Sequence, residues 1–395
     1  MQATGIPAAE LAERRERLLD HARTDGQTGV VLFDQAYIQY FTGFSFLSNE
    51  RPIAFAQTVG GDMAVFVPEF EVERTKEETA FDRIESYPEY PGVEHPMPIF
   101  ARLLADMGIG GKIGADSEGY PGILGYQGPA LSTVTGSTVR PLGDAIEGWM
   151  ARKSPAEVEL IRQSARWCEH AHRLLQQYSV PGTTEAEASL RAGFEATLAM
   201  LEALGPEYAG QLGSQDGATA GYRGQIGRRS AWAHAVAHNI TFQEGDMLVT
   251  ETAAPIWGYN AELERGMVVG TPTDEQRRLH EHVVAAQQAA FDAFRPGVTC
   301  ADVDGAVNDY FAKNDLKSLW RQHTGHAIGL RNHEAPFLDV GDHTPVEPGM
   351  VFTIEPGVYV EGLGGFRHSD TVAVTDDGIE ILTDYPRDLD SLTTG

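Results

Sequence analysis

The sequence predicts an α+β protein of two domains: a smaller N-terminal α/β domain over residues 1–150, and a domain over 151–395 in which helices cover one side of a curved antiparallel sheet. Three observations predict it. Helical and strand-like stretches alternate up to about residue 150. A strong helix start at Ser154-Pro155-Ala156-Glu157 then opens the second half. Beyond residue 245 the chain changes to short apolar runs bounded by glycine, with carboxylates and imidazoles near their ends.

The elements follow in order. Residues 10–23 form a charged amphipathic helix, and GVVLFDQAYIQYFTGF opens as a buried strand. GGDMAVFVPEF and GKIGADSEGY continue the alternation. Ser154 is the N-cap of a long helix, Pro155 takes its first position and Glu157 completes a capping box. Thr273 with Gln276 caps a second helix that runs to Phe294 and stops at Arg295-Pro296-Gly297. A third begins near Thr299 and Asp302, with Val303, Val307 and Phe311 on one face. The glycine-rich stretch 210–229 has two readings, a flap that carries Arg223 to a substrate carboxylate or a plain surface loop.

The chemistry concentrates in the last third. Residues 245–270 hold two apolar runs separated by Trp257-Gly258-Tyr259, with Glu251 on one run and Glu262 on the other, which is a hairpin pattern. Glu262 and Glu264 are two apart and share a strand face, so three carboxylates can converge. His326 stands in a glycine-flanked strand and His333 follows it. Glu355 ends an apolar run that Pro356-Gly357 stops, and the stretch from Gly364, carrying Arg367, turns at Asp376-Asp377-Gly378. Each carboxylate alone reads as a solvated surface group; their sequence order makes them a set. Arg367 and Arg265 are expected to pair with carboxylates beside the site, Asp370 to hold Arg367, and His323 and His238 to be surface or core residues.

With Asn239 upstream, these segments resemble the pita-bread family of Xaa-Pro dipeptidases, aminopeptidase P, methionine aminopeptidases, creatinase and ectoine hydrolase. The N-terminal segment likewise resembles a creatinase/prolidase domain. Metal-dependent members carry Asp, Asp, His, Glu and Glu where this chain has Glu251, Glu262, His326, Glu355 and Ser369. The neutral Ser369 hydroxyl replaces a bridging carboxylate. Two cations roughly 3.5 to 4 Å apart repel strongly without one, which argues against a dinuclear centre.

Creatinase works without metal and has ALER where this chain has Glu262-Leu263-Glu264-Arg265. That resemblance implies that Glu264 and Glu355 bind substrate, His234 shuttles a proton and His333 stabilises developing negative charge. The resemblance to ectoine hydrolase makes Glu251 a nucleophile instead. Glu262 and Arg367 complete the expected substrate group. The expected function is hydrolysis of a C–N bond in a small N-substituted amino acid, without a cofactor. The alternative is a metal-dependent Xaa-Pro dipeptidase or aminopeptidase in which Glu251, Glu262, His326 and Glu355 hold one or two divalent ions (Mn, Co or Zn), a reading favoured by the adjacent His333 and Glu334. A second alternative is a catalytically silent binding protein on the same scaffold. Family resemblance also implies a homodimer.

Composition bounds the partners. The 395 residues carry a formal charge of −27, with a pI near 4.8. Nucleic acid is excluded as a partner, because a phosphate backbone calls for Lys and Arg. Lysine is confined to Lys76, Lys112, Lys153, Lys313 and Lys317, and this acidic, lysine-poor balance fits salt adaptation. No apolar run approaches the roughly 20 residues of a membrane span, and the charged N-terminus is unlike a signal peptide, so a cytoplasmic protein is expected. Cys168 and Cys300 are the only cysteines, which excludes a disulfide framework or a thiolate zinc site. Phosphate-loop, nucleophile-elbow and dinucleotide motifs are absent.

Overall fold

In the first unit a mixed six-stranded sheet runs, edge to edge, through Arg83–Tyr87, Met63–Pro68, Ala54–Thr58, Gly29–Leu32, Lys112–Ala115 and Thr138–Pro141. The computed structural model describes residues 5–120, 125–205, 208–210 and 217–395. The chain divides into two units, with the main break between Trp149 and Met150. Helix Ala8–Thr24 covers the expected charged segment. The Gly29–Leu32 strand is wholly buried, and Asp34 then caps the helix Gln35–Thr42 by accepting from Ala36 N and Tyr37 N.

In the second unit the helix starts obey their capping chemistry. Reciprocal capping boxes are present at Ser154/Glu157, Thr273/Gln276 and Thr299/Asp302, opening helices Pro155–Tyr178, Asp274–Ala293 and Cys300–Lys313. Val303, Val307 and Phe311 are fully buried in one cluster with Leu279, Val283, Phe352, Ile354 and Val372, so helices and sheet share this core. Helix Glu185–Leu204 has no counterpart in the sequence reading. Its buried face is lined by Ala188, Ala192, Ala196 and Met200, whereas Leu190, Phe194 and Leu198 are exposed, which inverts the usual amphipathic signal.

The expected hairpin is present, broken into two paired sections. Glu251–Ala253 pairs with Glu262–Leu263, and Met247–Val249 with Gly266–Val269. Its turn is a two-residue connection with positive φ at Trp257 and Gly258, closed by reciprocal bonds between Ile256 and Tyr259. A five-stranded antiparallel sheet runs Glu334–Leu338, Gly325–Ala327, Val351–Ile354, Asp370–Val374 and Ile379–Ile381, the last two joined at the expected Asp376–Gly378 turn. Gly325 lies so close to its neighbour that an added Cβ would meet Thr353 O at 1.9 Å. After Glu355 the chain does not leave the sheet region but forms a second hairpin, Gly357–Val360 with Gly364–Arg367.

An antiparallel bridge between Glu264 and Ser369 joins the first hairpin to the five-stranded sheet. Side chains alternate along a strand, so this register places Glu262, Glu264, Arg367 and Ser369 on one face and Arg265, His368 and Asp370 on the other. Asp370 was expected to hold Arg367, and the alternation prevents it. Asp370 instead accepts from Arg265 Nη2 at 2.8 Å, Gln287 Nε2 at 3.0 Å and Thr383 Oγ1 at 2.7 Å. Arg265 is fully buried and also donates to the carbonyls of Glu264, Ser369, Tyr385 and Pro386. Cys168 and Cys300 are free and buried. Among the described residues no helix is long and apolar enough to cross a membrane.

Behind the strand pair lie three buried histidines. His172 Nε2 meets Thr250 Oγ1 at 2.8 Å, and His280 meets His368 at 3.3 Å. Burial, reinforced by nearby cations including Arg265, lowers all three; His172 falls to about 3. A folded-state pKa below the unfolded value gives stability that is present above about 6.5 and lost as pH falls. Acidification from pH 7 to 5 is therefore expected to cost up to roughly 2 kcal/mol per histidine, read from urea unfolding curves. The variant His172→Gln should flatten that slope by about a third, and an unchanged slope would contradict the assignment.

Candidate metal centre

Three strand ends bring Glu262, His326 and Glu355 together, with one ligand-type atom from each within 4.8 Å of the others. His326 Nε2 lies 3.2 Å from Glu355 Oε1, and its Nδ1 is 3.0 Å from Ala327 O. A carbonyl can only accept, so Nδ1 carries hydrogen and Nε2 is left either to take a proton or to bind a cation. Ser369 donates to Glu262 Oε1 at 2.7 Å and fixes that carboxylate. Gln322 donates through Nε2 to the Glu355 carbonyl at 2.8 Å and accepts through Oε1 from Tyr359 OH at 2.5 Å, tying the second hairpin to the centre.

A buried ion pair braces one side. Arg367 grips both oxygens of Glu264 at 2.5 and 2.6 Å, and both residues are about 2% exposed. Burial opposes the charge on Arg367, but Glu264, Tyr359 and Glu355 outweigh it and hold the guanidinium protonated. Glu262 is raised to about 7 by burial, then by the like charge of Glu355, with His326 and Ser369 opposing. Burial alone would depress His326; the hydrogen bond to Glu355 and the charges of Glu262 and Glu355 override it, to about 9. Glu355 is the mirror case, where His326 and Arg367 outweigh burial and hold the carboxyl below its usual range. The cluster thus has carboxylate charge in excess of what its own cations neutralise.

The sequence-predicted residues distribute unevenly. Glu262, Glu264, His326, Glu355 and Arg367 meet in one network, and His333 stacks on His326 with ring centroids 3.9 Å apart. Glu264, expected to contact substrate, has both oxygens engaged by Arg367. Glu251 stands beside the triad, with Oε2 2.6 Å from Arg223 Nε. His234 is exposed and makes none of the contacts that join the centre. Of the 210–229 stretch, residues 211–216 lie outside the described residues; Thr219–Gly221 is a strand and Gly227–Ala231 a short 3-10 turn. The sequence reading missed the Ser369–Glu262 bond and Gln322. It also missed the buried Lys153–Glu334 pair at 2.8 Å, which occupies the carboxylate next to His333. The face-sharing of Glu262 and Ser369 becomes readable only once the strand register is known.

The profile of metallopeptidase family M24 matches residues 159–376. The chain belongs to that family. The creatinase/prolidase N-terminal domain matches residues 14–122. The M24 protein is 28% identical to the Xaa-Pro dipeptidase of Pyrococcus furiosus over 380 residues, covering 96% of this chain and all of the relative. Its structure is similar to that of the prolidase from Pyrococcus horikoshii OT3, with a TM-score of 0.80 at 25% identity, covering 95% and 99% of the two chains. Dipeptidase PepE from Mycobacterium ulcerans gives a TM-score of 0.80 at 26% identity, covering 98% and 99%. The expected architecture and enzyme class, a C–N hydrolase, therefore hold for this M24 protein. The expectation of a metal-free centre gains no support: the family is one of metallopeptidases, and His326 with two carboxylates is a sound donor set for a divalent ion.

Removing one half of the Glu264–Arg367 pair leaves an uncompensated buried charge, so Arg367→Met is expected to destabilise the M24 protein by about 3 to 5 kcal/mol. Adding Glu264→Leu should recover most of that loss in chemical denaturation. Equal destabilisation by the single and double variants would show that packing, and not charge pairing, holds this corner.

Proposed function

We propose that this protein is a single-ion Xaa-Pro dipeptidase, a hydrolase that cuts the amide bond to a prolyl nitrogen, with one divalent cation held by Glu262, His326 and Glu355. The observation that carries the reading is the orientation of His326. Its Nδ1 is committed to Ala327 O and its Nε2 faces Glu355 Oε1 at 3.2 Å, so that a cation displacing the Nε2 proton would meet an imidazole lone pair and a carboxylate together. Charge balance supports it. Glu251, Glu262, Glu264 and Glu355 are opposed by Arg223 and Arg367, which leaves two negative charges for a neutral His326 and one divalent ion. Mixed imidazole and carboxylate donors suit Mn, Co or Zn.

Such an ion, when bound, acidifies a water and polarises the scissile carbonyl. The chain's own groups supply the rest. Glu262 and Glu355 are placed to take the proton from the attacking water and return it to the prolyl nitrogen. The Ser369 hydroxyl and Gln322 fix the orientation of those two residues. His333 is exposed on the His326 ring, and burial, His326 and other neighbouring charges together keep it neutral, so it can donate to or accept from a peptide group at the rim. The Glu264–Arg367 pair braces the floor.

The test is metal content by elemental analysis after dialysis against Mn²⁺ or Co²⁺, alongside turnover of an Ala-Pro dipeptide. One ion per chain and turnover are expected. His326→Ala should lose the ion, and turnover should fall by at least the roughly 10- to 100-fold that loss of an outer-shell partner alone costs. Full turnover by protein free of metal would sink the reading and return the centre to acid–base chemistry by its own residues. Metal binding without turnover would mark a silent scaffold.

A further inference from the structure

We infer that Arg223 is a built-in substitute for a second metal ion: its guanidinium supplies, at the Glu251 end of the centre, the fixed positive charge that a second cation would bring. The inference rests on the single-ion reading and explains why one ion suffices.

The contact itself is direct, with Arg223 Nε 2.6 Å from Glu251 Oε2. Glu251 is correspondingly outside the group of donors formed by Glu262, His326 and Glu355. On the opposite side, a second ion would need a carboxylate at residue 369, where the Ser369 hydroxyl donates to Glu262 instead. A position flanked by Glu251 and a neutral hydroxyl holds too little negative charge for a second divalent ion, but one carboxylate matches one guanidinium.

The backbone is arranged to deliver that side chain. Gly221 pairs with Glu251 in strand register, and the chain then reverses through Tyr222-Arg223-Gly224-Gln225. Arg223 has φ +47° and Gly224 φ +74°, and Gln225 N donates to Tyr222 O at 2.8 Å. Two successive positive φ values suit Asn-Gly or Gly-Gly; an arginine in the first position adopts a conformation that L residues reach only at a cost. The turn is clamped on its other side. Gly224 N donates to Glu185 Oε1 at 2.5 Å, and a Cβ at Gly224 would meet Val236 O at 2.1 Å. The guanidinium is half-exposed on the Glu251 side of the centre.

Metal stoichiometry and affinity test the role without reference to activity. Mn²⁺ binding is measured by calorimetry and elemental analysis in the full-length protein, with melting temperatures as a check on folding. Arg223→Ala/Ser369→Glu removes the guanidinium and restores the carboxylate, and it should bind one ion more than the unaltered protein. Arg223→Lys/Ser369→Glu keeps a cation in place and should gain none. The single variant Arg223→Ala exposes the first ion to an uncompensated Glu251 charge and should bind Mn²⁺ more tightly, on the order of tenfold. Two ions in the unaltered protein, no gain in the Arg223→Ala/Ser369→Glu variant, or unchanged Mn²⁺ affinity in Arg223→Ala would overturn the proposal. If the unaltered protein binds no ion, the single-ion reading fails, and the gain of an ion by that double variant still decides the role of Arg223.

Discussion

Arg265 is the constraint on which the centre depends. Its guanidinium is wholly out of water and binds Asp370 while donating to four backbone carbonyls, two on the paired strands and two on the C-terminal segment. A buried guanidinium is costly unless every donor is satisfied, so its five hydrogen bonds define one arrangement of those segments. That arrangement fixes the Glu264–Ser369 bridge, and the bridge fixes which side chains reach the front. The chemistry in front is thus set by an ion pair behind.

The two faces divide labour by charge. The rear holds histidines that burial keeps neutral, together with the Arg265–Asp370 pair, and it behaves as a polar core. The front collects four carboxylates against two guanidiniums, an imbalance that burial makes expensive and that a cation relieves. Glu262 registers the imbalance most, since it is both buried and next to Glu355. Side-chain alternation along two strands is enough to keep these environments a few ångströms apart.

Much of this was legible in the sequence because it is local. Ser154, Thr273 and Thr299 announce their helices through caps three residues long, and Gly258, the residue type that adopts positive φ freely, marks the hairpin turn. The order Glu251, Glu262, His326, Glu355 pointed to the centre, and the structure brings the last three together while Glu251 pairs with Arg223. The rest was hidden by what sequence spacing cannot carry. Helix Glu185–Leu204 packs through alanines and leaves its large residues outside, so periodicity points the wrong way. The partner of Asp370 depends on strand parity across more than a hundred residues. Glu251 meets Arg223 only because a strained turn returns the chain to its own strand neighbour. Ser369 looked like the loss of a carboxylate, and its hydroxyl in fact donates to Glu262 and orients it.

The contact at Gly325 bears on how such a centre can be re-engineered. Any side chain there would collide with the Thr353 carbonyl and wedge the strand of His326 away from the strand that leads to Glu355. Libraries that diversify the interior around His326 would therefore discard most of their members at that position. The Tyr222–Gln225 turn is the opposite case: Tyr222, Gly224 and Gln225 are buried, and Arg223 alone faces solvent while its long side chain reaches Glu251. Randomising residue 223 offers a route to new substrate or ion preferences that leaves the sheet beneath it untouched.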